Sequence, residues 1–281
     1  MNMNAWQFVR RSIGTLCLFA IVAGSHAPAR AAQEEYQPQV GQAGKDVIWV
    51  PTPQELVDKM LDMAKVTAQD YVIDLGSGDG RTVITAAKRG ARALGIEYNP
   101  DMVELSKRNA AKEGVSDKAT FVKADLFESD FSEAQVITMF LLSTINLKLR
   151  PKLLDLKPGT RLVSNTFDMG EWTPDETAHL PGCNSWCTAH LWIVPAKVGG
   201  TWKLPQGELT LKQTFQMISG TLKARGRTFP ISNGKLKGDQ LTFTAGGVQY
   251  TGRVNGKSIE GVATTENKWS ATQIRKEKIQ N

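Results

Sequence analysis

Two carboxylates and a set of glycines stand where two apolar runs end. Asp74 closes Tyr71-Val72-Ile73 and leads into Leu75-Gly76-Ser77-Gly78-Asp79-Gly80-Arg81, and Glu97 closes Ala93-Leu94-Gly95-Ile96. An apolar strand that ends in an acid and then a glycine turn lets main chain approach a nucleotide-like ligand closely, because no side chain intervenes. The spacing Gly76-x-Gly78-x-Gly80 is one residue shorter than the dinucleotide fingerprint, and no Gly-x-x-x-x-Gly-Lys phosphate cradle is present, which disfavours NAD and ATP. S-adenosylmethionine fits better. It lacks phosphate, its amino group and sulfonium are stabilised by acids, and its ribose hydroxyls suit a carboxylate that accepts two hydrogen bonds. Asp74 is expected at the amino end and Glu97 at the ribose. Asp125 is expected at the adenine amine, with a turn or cap acid as the alternative reading.

These residues need strands and helices to hold them. Val72–Leu75, Ala93–Glu97, Ala119–Val122, Val136–Leu142, Arg161–Ser164 and Leu191–Val194 read as strands. Helical patterns alternate with them: Thr52–Ala64, with Thr52 as N-cap, Pro53 at the first helical position and Glu55 completing a capping box; Thr82–Arg89; a helix opened by Asn99-Pro100; and one carrying Leu147, Leu149, Leu153 and Leu154. The alternation predicts an α/β fold with a parallel sheet covered on both faces. Ligands of such sheets bind beyond the carboxyl ends of the strands.

After Pro195 the pattern changes to short alternating runs such as Leu241-Thr242-Phe243-Thr244-Ala245, punctuated by glycine. Asn233-Gly234 and Asn255-Gly256 read as hairpin turns. A small antiparallel β module over residues 198–275 is expected, as a meander, barrel or sandwich, with a frayed tail at 276–281.

Val50-Pro51-Thr52-Pro53, Asp74–Arg81, Gly95-Ile96-Glu97, Phe140-Leu141-Leu142 and Leu149-Arg150-Pro151 resemble the seven-strand lysine methyltransferases related to the enzyme that modifies the ATP synthase c-ring protein. The resemblance covers about residues 47–170. It implies a Rossmann-like seven-strand sheet, S-adenosylmethionine as methyl donor and a lysine acceptor. It implies cofactor roles for Asp74, Gly76, Gly78, Glu97 and Asp125, extended here to Asp79, Gly80 and Thr52, and it brings Trp49–Thr52 near the cofactor and acceptor channel. Asn146, Ser143 and Thr144, just past the fourth strand, are expected to orient the acceptor; a helix-capping role is the alternative for Ser143 and Thr144. Trp172, Trp186 and Trp192 read as core or rim. No metal site is expected: beyond the leader there are only two cysteines and two histidines, His179 and His190.

The first 31 residues read as an export signal: Arg10 and Arg11, an apolar run from Ile13 to Gly24, and Ala29-Arg30-Ala31 as a cleavage pattern. A periplasmic or secreted location follows, with an uncleaved inner-membrane anchor as the alternative. Residues 32–47 read as a flexible leader, and residues 48–197 as the cofactor-binding domain. Cys183 and Cys187 form either a small-loop disulfide or two free thiols. The net charge of +6 is uneven: residues 198–281 carry 13 Lys and Arg against 5 acids, and residues 32–197 carry 18 against 23. Two functions stand. One is an exported methyltransferase acting on protein lysine, or on a small-molecule or lipid acceptor. The other is a non-catalytic scaffold whose basic module binds anionic lipid, glycan or nucleic acid. No motif for specific nucleic-acid recognition is present.

Overall fold

A computed structural model of the chain describes residues 36–205 and 207–276. The export-signal and membrane-anchor readings fall on residues 1–31 and lie outside the described residues. So does most of the expected tail.

Seven strands form one sheet: β1 Tyr71–Leu75, β2 Arg92–Glu97, β3 Ala119–Lys123, β4 Val136–Met139, β5 Arg161–Asn165, β6 Glu176–His179 and β7 Thr188–Ile193. The order is β3-β2-β1-β4-β5-β7-β6. β1 to β5 are mutually parallel, whereas β7 runs antiparallel to both β5 and β6. The all-parallel expectation fails at this edge because no helix separates β6 from β7. The chain turns directly from His179 to Thr188 as a hairpin, and a two-strand hairpin can only be antiparallel. β6 is short and largely exposed, so it carries no apolar run to mark it in the sequence.

Four helices cover the sheet: α1 Gln54–Met63, α2 Arg81–Lys88, α3 Pro100–Lys112 and α4 Ser143–Leu154. α1, α2 and α3 share one apolar core, which includes Leu56, Val83, Val103 and Val72. α4 belongs to the core of the other face, with Ile73, Leu75 and Leu149. Val72 and Ile73 enter opposite cores because successive strand residues point to opposite faces. α3 starts as its sequence demands: the Asn99 side chain accepts from the Asp101 amide at 2.9 Å, with Pro100 behind it. α1 does not. Its N-cap is Pro53, with no side-chain cap bond. Thr52 is turned away, its Oγ1 accepting from Asn165 Nδ2 at 3.3 Å, so tertiary contact overrides the capping box.

The C-terminal strands are β8 Gly200–Leu204, β9 Gly207–Thr214, β10 Met217–Ala224, β11 Arg227–Lys237, β12 Gln240–Ala245, β13 Val248–Asn255, β14 Ser258–Ala263 and β15 Lys268–Lys276. Each pairs with the next, and β15 closes on β8 to make an antiparallel barrel. Its interior is packed with Trp202, Leu209, Leu211, Leu241, Phe243 and Ile259. Asn255-Gly256 lies at the β13–β14 turn. Asn233-Gly234 does not turn the chain; it sits inside β11 at a register shift between Ser232 and Lys235. A bulge uses the same left-handed backbone as a turn, and Asn233 has φ +51°.

The barrel is wedged into the sheet's core by the β9–β10 turn. Phe215 stacks on Trp172, with centroids 5.9 Å apart and an interplanar angle of 8°. Gln216 Nε2 donates to the Thr173 carbonyl at 2.7 Å. Part of the barrel's positive charge faces the acidic sheet domain: Lys235 pairs with Asp175 at 3.1 Å, and Lys197, on the connecting segment, pairs with Asp155.

Candidate active site

Strand order reverses between β1 and β4, and a cavity of about 510 Å³ opens beyond the carboxyl ends of the strands there. That is within the usual range for a small-molecule site. Asp74, Gly76, Gly78, Asp79, Glu97, Asp125 and Thr52 line it.

The glycine turn is held from several sides. The amides of Gly76 and Ser77 donate to the Ile96 carbonyl at 2.9 and 3.1 Å. The Gly78 amide donates to Glu97 Oε2 at 2.9 Å, and the Asn99 amide to Glu97 Oε1 at 2.9 Å. Ser106 Oγ donates to the Gly78 carbonyl at 2.8 Å. A Cβ at Gly78, where φ is +53°, would lie 2.7 Å from Trp49 Nε1. Gly95 is needed for the same turn: a Cβ there would lie 2.5 Å from Ser77 Oγ. Gly80 serves differently. It is the N-cap of α2 with φ +84°, packed against Phe121 and Ser106, and it is not part of the cavity lining. Asp79 is clamped by Arg81, Nε to Oδ1 at 3.0 Å and Nη2 to Oδ2 at 2.6 Å. Arg81 Nη1 donates to the Thr52 carbonyl at 2.8 Å. The pair therefore ties the turn to Trp49–Thr52.

Asp74 is buried, and that burial pushes its carboxyl up to about 7, against the opposing hydrogen bond from Thr138 Oγ1 at 2.6 Å; the charges of Glu97 and Asp79 push the same way as burial. A folded-state value above the unfolded one means that the native protein holds the extra proton between about pH 4 and 7. Native stability therefore declines as pH rises through that window. A cation placed beside Asp74 reverses the effect by favouring the carboxylate. Asp125 is held below the usual carboxylate range, first by its hydrogen bond from Lys45 and then by the Phe127 amide.

Lys45 comes from a segment read as a flexible leader. In the structure residues 39–49 instead make a small hairpin, bridged between Ala43 and Ile48, with the Gly41 amide donating to the Trp49 carbonyl at 2.8 Å. Gln42 to Trp49 form one wall of the cavity. The glycines at 41 and 44 are turn signals, but what orders the hairpin is contact with the distant β2 and β3 ends.

The three expected acceptor-orienting residues are not brought to the cavity. Asn146 is fully buried, and its Nδ2 donates to the carbonyls of Phe167 and Asp168 at 3.2 and 3.1 Å. Ser143 and Thr144 are in the first turn of α4, outside the lining. Neither caps the helix, whose N-cap is Leu142. Past the end of β4 the cavity is lined instead by Phe140, Leu141, Leu142 and Ile145, together with Phe167 and Trp186. Of the three tryptophans read as core or rim, Trp172 and Trp192 are buried and Trp186 stands on the rim. Its loop is closed by a Cys183–Cys187 disulfide, Cα atoms 5.8 Å apart, at the tip of the β6–β7 hairpin. A tryptophan inside a Cys-x-x-x-Cys loop was the one available signal for it.

The arrangement fits S-adenosylmethionine: a Cβ-free turn, a carboxylate with both oxygens already oriented, and a second, buried acid that gains from a cationic neighbour. Residues 74–176 match the ANTKMT methyltransferase domain family. A protein-lysine N-methyltransferase of Saccharolobus islandicus is 45% identical over 151 residues, which is 53% of this chain and 94% of that protein. The chain belongs to the class I S-adenosylmethionine-dependent methyltransferases. A human lysine N-methyltransferase named for the c-ring protein of ATP synthase is 35% identical over 135 residues, 48% of this chain. The chain spans only about half of that enzyme's length (56%). A solved structure described as an RNA methyltransferase from Salinibacter ruber, in complex with S-adenosyl-L-homocysteine, is 49% identical. It covers 53% of this chain and 96% of its own, with a TM-score of 0.50. The family match lies wholly within the sheet domain and does not reach the barrel.

Proposed function

We propose that this methyltransferase acts on the ε-amine of lysine in a protein acceptor at the cell envelope. The observation that carries the reading is the charge and texture of the cavity. Its lining includes five acids (Asp46, Asp74, Asp79, Glu97, Asp125) against Lys45 and Arg81, which pair with Asp125 and Asp79 and leave a net negative charge, and the wall carrying Phe140, Phe167 and Trp186 is apolar and aromatic. That combination attracts a cationic side chain and repels a phosphodiester, so lysine is preferred over RNA. The lysine acceptors named for the Saccharolobus and human relatives point the same way.

S-adenosylmethionine, when bound, supplies an electrophilic methyl group on a sulfonium. Asp74 would hold its amino end, and Glu97 would hold the ribose while keeping Gly78 in place. Lysine normally titrates near 10.4, so almost none is neutral at pH 7. The buried Leu141 and Ile145 exclude water beside the amine and so favour its neutral form. An amine so placed would present its lone pair to the donor's methyl group, and the proton shed by the lysine ammonium would leave to solvent. Positioning of this kind is worth an effective molarity of about 10⁵–10⁸ M. The envelope location is supported by the leader's Arg10-Arg11 and Ala29-Arg30-Ala31 and by a disulfide of the kind that persists in oxidising compartments.

The test incubates the full chain and methyl-labelled S-adenosylmethionine with cell-envelope protein, and separately with total RNA. Label recovered as methyl-lysine is expected, together with a native N-terminus at Ala32 or Gln33. Label confined to RNA would refute the acceptor, and an intact Met1 would refute export.

A further inference from the structure

We propose that Trp186, backed by Phe140 and Phe167, is the recognition wall for the acceptor's alkylammonium side chain, and that the Cys183–Cys187 bridge holds it there. The inference rests on the lysine reading and adds the residues that select the acceptor. The three rings form one contiguous surface: centroids are 6.0 Å apart for Phe140–Phe167, 5.8 Å for Phe140–Trp186 and 5.5 Å for Phe167–Trp186. All three line the same cavity as Asp74 and Glu97. Trp186 is 41% exposed, in contrast with Trp172 and Trp192, which are fully buried.

Both ends of the wall are held on left-handed backbone that non-glycine residues avoid. Trp186 itself has φ +59°, and Thr166, immediately before Phe167, has φ +60°. Such strain persists only where surrounding structure imposes it, and it concentrates at functional positions. Here the constraints are visible. The disulfide closes the Trp186 loop, and the Leu180 amide donates to the Cys187 carbonyl at 2.8 Å. The Thr166 amide donates to the Thr188 carbonyl at 2.6 Å, joining the Phe167 segment to the strand that follows the bridge. A core residue would need none of this, and a solvated loop residue would not need to be tryptophan.

An aromatic face attracts an alkylammonium group, and the attraction grows as water is excluded. A trimethylated ammonium can make no hydrogen bonds and depends on such a surface most. The carbon isostere has the same shape without the charge, so comparing the two isolates recognition of the cation.

The test is calorimetric titration of the full-length protein, saturated with S-adenosylhomocysteine, by Nα-acetyl-Nε-trimethyl-lysine methylamide and by its uncharged carbon isostere. The native protein is expected to bind the cation at least about fivefold more tightly than the isostere. Trp186→Ala should reduce that preference below about twofold, whereas Trp186→Phe should keep most of it. The double change Cys183→Ser and Cys187→Ser should weaken it by about threefold. S-adenosylmethionine affinity should stay within about twofold in every variant, which also shows that each has folded. Equal binding of cation and isostere, a preference that survives Trp186→Ala, or no saturable binding of either probe would overturn the proposal. The outcomes separate it from the lysine reading. Methyl-lysine formed with no dependence on Trp186 defeats the wall alone, and a Trp186-dependent preference without methyl-lysine formation defeats the reading alone.

Discussion

Glu97→Ala is expected to weaken S-adenosylmethionine binding at least about a hundredfold while the protein remains folded. Glu97 accepts the Gly78 amide on one oxygen and the Asn99 amide on the other, each at 2.9 Å. Each oxygen keeps a further lone pair for a ribose hydroxyl. Hydrogen bonds to a charged group contribute about 1.5–3 kcal/mol each. Losing two of them exceeds the roughly 2.7 kcal/mol that corresponds to a hundredfold change. The alanine also releases the Gly78 amide that fixes the turn. Glutamine is not a substitute, because its amide nitrogen would face one of the two N–H donors. Calorimetric titration checks the affinity, and a far-ultraviolet circular dichroism melt checks that the fold persists. Binding within about tenfold of the native protein would remove Glu97 from the cofactor site.

Gln213→Ala is expected to destabilise the barrel by about 3 kcal/mol or more. This buried β9 side chain joins the barrel to the connecting segment. Its Oε1 accepts the Val198 amide at 2.8 Å, and its Nε2 donates to the carbonyls of Ala196 and Phe215 at 2.9 and 2.8 Å. Truncation leaves three buried main-chain groups without partners, each carrying a desolvation penalty of about 1–3 kcal/mol. Urea unfolding measures the loss. A change below about 1 kcal/mol would mean that the junction re-forms its hydrogen bonds without the side chain. S-adenosylmethionine affinity should be unaffected, because neither Gln213 nor its bonded partners line the cavity.

What the sequence disclosed is what local chemistry decides. Apolar runs ending in Asp74 and Glu97 became β1 and β2, Asn99-Pro100 started α3, and alternating residues after Pro195 became barrel strands. The glycines at 76 and 78 could be placed because a turn with no side chain leaves a direct mark. What escaped depends on contacts between distant residues. Thr52 carries a cap signature, yet its hydroxyl is taken by Asn165, 113 positions away. Asn233-Gly234 has hairpin chemistry, but β11 continues through it as a bulge. Asn146 lies just past the β4 end, as expected, and then turns inward, its Nδ2 donating to the carbonyls of Phe167 and Asp168. The Gln42–Trp49 wall and Trp186 had no apolar period to announce them. One is ordered by β2 and β3, the other by a disulfide whose pairing two cysteines alone left open.

The most direct measurement is a calorimetric titration of the native protein with S-adenosylmethionine, at several pH values and in two buffers of different ionisation enthalpy. Asp74 holds a proton up to about pH 7 in the free protein. A ligand cation beside it must therefore displace that proton. Saturable binding is predicted, with proton release and an affinity that rises between about pH 5.5 and 7.5. Heat indistinguishable from dilution would contradict the placement of the methyl donor between the glycine turn and its two carboxylates.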